Sequence, residues 1–143
     1  MALRGLLGRK SVWAALIATA CGGDSGGGGT PTGPSPTPSG PSATITITNA
    51  GVSPAIVDIS AGQRVEFVNA SSRMHQIFTT PHNLHTDCPP INEVSELAAG
   101  QRKMTGALSA VRLCGFHDHL DPSNEALRGV IRVGTVSGPA PEY

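Results

Sequence analysis

Beyond the first ten positions, which hold Arg4, Arg9 and Lys10, the sequence has no run of basic residues. Without those three, seven basic residues face 10 acidic ones, a net charge of −3. Such a surface offers a nucleic-acid backbone nothing to bind. The apolar stretch at residues 11–20 (SVWAALIATA) falls far short of the ~20 residues that a membrane span needs. Cysteine is scarce, at three residues in all, and so is methionine, also at three. There is no internal repeat. Cys114 and His117 are close enough in sequence to act as nucleophile and base, but no oxyanion or substrate element accompanies them, which argues against catalysis. The chain is read as a non-enzyme without a small-molecule substrate.

Glycine and proline are plentiful, but they gather before residue 43 and after residue 133. A basic start, a short apolar run and Ala18-Thr19-Ala20 make residues 1–20 a secretory signal peptide. The Cys21 that follows resembles the lipidated first residue of bacterial lipoproteins, although Ala18 stands where Leu is usual. An unmodified Cys21 would be an exposed thiol in an oxidising compartment. Residues 21–43 then form a flexible Gly/Pro/Ser linker, and residues 26–42 could extend on the order of 50 Å. The expected location is the periplasm or cell surface, with the membrane reached through the N-terminal lipid. Residues 134–143 read as a disordered tail.

Residues 44–133 carry the dense Val, Ile, Leu and Phe, enough for one modest core. Alternation at ATITIT (43–48), AIVDIS (55–60), QRVEFVN (63–69) and HQIFT (75–79) predicts strands. Further strands are expected at 103–108, 109–114 and 129–133. Between them lies an excursion, residues 80–100, with room for one short helix around residues 92–98. About seven short strands predict an all-β fold, an antiparallel Greek-key β-sandwich.

All five histidines lie between residues 75 and 119. Cys114-Gly115-Phe116-His117-Asp118-His119 follows a predicted strand and enters a loop, and His75 opens another strand. A thiolate with two imidazoles suits copper. Here the chain resembles the cupredoxins, the blue-copper family of plastocyanin and azurin. Val52-Ser53-Pro54 with the strand after it, Gly62 through Asn69, His75-Gln76-Ile77, Ala99-Gly100-Gln101, Cys114-x-x-His117 and Gly129 through Val133 fall in the family's order. The resemblance implies copper held by His75, Cys114 and His117; His119, two residues on, would point the same way as His117 in an extended loop and either replaces it or joins it as a further ligand. It also implies one-electron transfer to a redox partner protein.

Two departures leave alternatives open. No Met follows His117 within the next several residues, where the family keeps its axial ligand. Met74 and Met104 read as core residues. His82, His85 and Cys88 form a second ligand-like group, in which His85 could join the copper and His82 reads as an exposed loop residue. Cys88 is an additional ligand, or else it pairs with Cys114, 26 residues away. Such a disulfide is expected of exported domains and would stabilise by roughly 3–4 kcal/mol. Asp118 either orients an imidazole or faces solvent; Phe116 either covers the site or caps the core. Copper storage or delivery, and a disulfide-stapled structural sandwich, therefore stand beside electron transfer.

Overall fold

The computed structural model describes residues 40–139 and 141. Residues 1–20, read from the sequence as a signal peptide, Cys21, most of the stretch read as a linker and the end of the tail lie outside the described residues.

Among the described residues nine strands follow one another: β1 Ala43–Thr48, β2 Gly51–Ser53, β3 Ile56–Ile59, β4 Val65–Asn69, β5 His75–Thr79, β6 Ser95–Leu97, β7 Arg102–Met104, β8 Arg112–Asp118 and β9 Arg128–Val133. They form two sheets, ordered β2-β1-β4-β7 and β3-β9-β8-β5-β6. The expected all-β sandwich is present, with nine strands in place of about seven. Both sheets are mixed, because β1 runs parallel to β4 and β3 parallel to β9. Alternating side chains show which face of a strand is buried, not which distant strand lies beside it.

Period-two patterning places the core. Ile45 and Ile47 of β1, Val65 and Phe67 of β4, Ile77 of β5 and Ile131 and Val133 of β9 are all buried. The threonines of β1 stay at least partly accessible. Phe67 of one sheet meets Phe116 of the other edge-on, with ring centroids 5.0 Å apart. Such a pair adds roughly 0.5–1.5 kcal/mol to the burial of both rings. Gly129 makes this possible, since a β-carbon there would collide with the Phe116 ring and the Ala55 carbonyl.

Two expectations change along the chain. The excursion holds no helix at 92–98; it carries a 3-10 turn, Pro89–Glu93, and then β6. Strand β8 does not stop at Cys114 but runs on to Asp118. Residues 114–118 of β8 are buried on both faces. Cys114 and Phe116 lie in the core, and the excursion covers the outer face, where a β-carbon on Gly115 would run into the Thr80 side chain.

Gly129→Ala is expected to destabilise the domain by about 1–3 kcal/mol, through overpacking against Phe116. Denaturant unfolding of the two proteins measures this, and equal midpoints would show that the Phe116 ring has room to move.

Candidate metal centre

The outer face of β8 is where the site forms. Successive strand residues alternate, so Cys114, Phe116 and Asp118 point one way while Gly115 and His117 point the other. His119, two residues beyond His117, continues on that outer side, and its backbone N–H donates to the Gln76 carbonyl at 2.7 Å. Phe78, the register partner of His117 on β5, lies beneath them. Its ring stacks on His85 with centroids 4.6 Å apart and meets the His119 ring edge-on at 5.4 Å.

The other two imidazoles come from the excursion. The Pro81 carbonyl accepts from the N–H of Leu84 and of His85, which closes a single turn. Within such a turn, residues three apart share a side, so His82 and His85 face the same way. His85 adopts a φ of 52°, in the left-handed region that histidine enters more readily than most residues with a side chain. Its carbonyl is held by Asn92 Nδ2 at 2.9 Å. The turn is fastened to β8 by Thr80 N–H donating to the Gly115 carbonyl and by an Arg112–Asp87 ion pair.

The result is four imidazoles, His82, His85, His117 and His119, each offering a nitrogen within 4.8 Å of the others. Their ring centroids are 4.7–6.0 Å apart for every pair. His82 Nδ1 and His117 Nε2 lie 3.1 Å apart. His85 Nε2, His117 Nδ1 and His119 Nδ1 are buried without a hydrogen-bond partner. Burial holds the His117 pKa down at about 4, helped by the neighbouring His82, His85 and His119 and by the Arg128 charge. His85 is lowered too, by burial first and then by His119 and His82. A neutral imidazole is the form that ligates metal.

This arrangement contains half of the expected ligand set. His117 and His119 are in the cluster; His75 and Cys114 are not. Cys114 is joined to Cys88 in a buried disulfide, with Cα atoms 5.7 Å apart. Spacing also separates Cys114 from His117: three residues apart on a loop they could converge, but on a continuous strand they point to opposite faces. His75 faces inward and is bonded to Asp118. Of the open alternatives, Cys88 is a disulfide partner, His85 a cluster member, Asp118 buried and Phe116 a core residue. Met74 and Met104 are exposed and not core residues. His82 belongs to the cluster and is only partly exposed, and the sequence signal for it is the His-x-x-His spacing after Pro81.

The donors fit copper held by imidazoles alone, since three buried nitrogens await a partner. They do not fit the sulfur-containing set of a blue site, because the thiol is consumed.

No protein-family model matches the chain, and no curated protein does. Solved structures do. A purple cupredoxin from Nitrosopumilus maritimus shares 20% identity with a TM-score of 0.52, over 64% of this chain and 99% of the other. A mutant plastocyanin of fern shares 18% at a TM-score of 0.50, over 63% of this chain and 98% of the other. The fold is therefore that of a cupredoxin β-sandwich.

The lowered His117 pKa has a thermodynamic sign. Between pH 6.5 and about 4 the unfolded chain takes up a proton at this ring and the folded chain does not. Its contribution is therefore complete above pH 6.5 and is lost as the pH falls. Urea midpoints of the metal-free protein should drop between pH 6.5 and 5, and drop less in His117→Gln. Parallel profiles for the two proteins would refute this assignment.

Proposed function

We propose that this protein is an exported copper-binding β-sandwich that holds one copper ion through His82, His85, His117 and His119. The observation that carries this reading is the convergence of four nitrogens within 4.8 Å on one covered sheet face. Bound copper would supply a centre able to exist as Cu(I) or Cu(II). The side chains hold and orient it: Phe78 supports His85 and His119, and the excursion limits water at His117. No sulfur takes part, which favours holding and delivering copper over fast electron exchange. Electron transfer to a redox partner is the second reading. It is favoured by the likeness to a plastocyanin solved in oxidised and reduced states.

Export is supported by the signal-like residues 1–20 and by the disulfide, since such bonds persist in oxidising compartments. Lipid on Cys21 would keep the domain at a membrane, with the linker as spacer and the histidine face turned to a partner protein.

Titration with Cu(II) should show one equivalent bound, nitrogen couplings in the EPR spectrum and no intense thiolate absorption. Unreduced protein should yield a Cys88–Cys114 linked peptide and no free thiol from either residue. Replacing His82 and His119 together by Ala should weaken binding beyond the ~10–100-fold typical of losing a ligand's supporting neighbour. An intense visible band that disappears in Cys114→Ser would overturn this reading in favour of a blue site.

The anchor has its own test. Cys21→Ala should move the protein from the membrane fraction to the soluble exported fraction. An unchanged distribution would remove the lipid from the account.

A further inference from the structure

His75 stands where the cupredoxin resemblance puts a copper ligand, yet both of its ring nitrogens are already engaged. Nδ1 lies 2.7 Å from Asp118 Oδ2 and Nε2 lies 2.8 Å from Ser71 Oγ. The ring is fully buried, and Asp118 is 1% exposed. The second carboxylate oxygen of Asp118 accepts from the backbone N–H of Gln76 at 2.9 Å and of Leu120 at 3.2 Å. Asn69, also fully buried, secures the far end, with Oδ1 accepting from the N–H of Ser71 and Nδ2 donating to the Arg73 and Leu97 carbonyls. A chain of side chains thus runs from β4 through His75 to the last residue of β8.

We infer that His75 and Asp118 form a positioning device that aims His117 and His119 at the metal. The inference rests on the reading of those two residues as ligands. Asp118 is the one residue between them, and β8 ends there. The ladder to β9 stops at the His117–Arg128 pair, so from Asp118 onward the strand is paired only on the β5 side, through Ile77 and the His119 N–H to the Gln76 carbonyl. Pinning the Asp118 side chain inward locks the outward direction that alternation gives its two neighbours where pairing is one-sided. Three donors on one buried carboxylate also satisfy it in place, so no other rotamer competes. His75 therefore acts through Asp118 and touches no metal. Neighbours that orient ligands in this indirect way typically contribute ~10–100-fold to metal affinity.

The test uses the full chain with Cu(II) as the probe, read by calorimetry and EPR. His75→Gln keeps an amide donor towards Asp118 and should retain wild-type affinity and spectrum. His75→Leu removes the donor and should lose ~10–100-fold in affinity, with altered copper hyperfine couplings. Where the leucine variant does not fold, Asp118→Asn takes its place. Its carbonyl still accepts from the backbone, but its amide nitrogen cannot accept from His75, and the same loss is expected. A ligand role for His75 would instead make the glutamine variant as weak as the leucine variant, with one nitrogen fewer in the spectrum. A merely structural role would lower the unfolding midpoint of His75→Leu or Asp118→Asn while leaving affinity and spectrum unchanged. Either result overturns the inference. Wild-type affinity in the His82/His119 double alanine variant would overturn the cluster itself, which keeps the two failures apart.

Discussion

Side chains on a β-strand alternate between its faces, and on β8 both faces are occupied. The inner face gives Cys114 to a disulfide, Phe116 to the core and Asp118 to His75. The outer face gives Gly115 to the covering excursion and His117 to the imidazole cluster. A slip of one residue would exchange these sets, placing an imidazole in the core and a phenyl ring under the loop. What prevents the slip lies away from the site: the Phe67–Phe116 contact, and the space for it that Gly129 leaves. The imidazole cluster thus depends on a packing decision made between the sheets.

Much of the sandwich was legible. ATITIT and HQIFT have strand boundaries that can be read from alternation, because one face of each is buried and the other is not. β8 was legible only in its first half. Beyond Cys114 come Gly115, Phe116, His117 and Asp118, three of the four not apolar strand formers, which read as loop when an open outer face is assumed. The excursion closes that face, and no local pattern in residues 112–119 announces a cover supplied from 80–87. The same hidden cover explains the site. His117 and His119 were found because their spacing of two works on any extended chain. His82 read as exposed because its turn looks like surface until it is folded onto β8.

The cysteine and the first histidine fall outside the cluster for a related reason. The spacing Cys-x-x-His is neutral between two geometries. On a loop it makes a chelate, and on a strand it divides its two members between opposite environments. Once β8 continues through the motif, the thiol goes to Cys88 and the imidazole to the outer cluster. Asp118 is then left facing His75, and a buried acid beside a buried imidazole satisfies both without a metal. Two polar arrangements, back to back across one strand, replace the single site that the motif suggested.

The disulfide also alters distance along the chain. His85 and His117 are 32 positions apart in sequence. Through the Cys88–Cys114 link, the covalent path between them is only three residues on each side of the bridge. Every member of the cluster lies within six residues of that crosslink. In contour length the centre is a local motif, like a short metal-binding peptide with two arms. Loop-closure entropy that would otherwise oppose gathering four imidazoles is already reduced before any strand pairs. An oxidised chain that has lost its sheets thus still keeps its histidines at high effective concentration around one another.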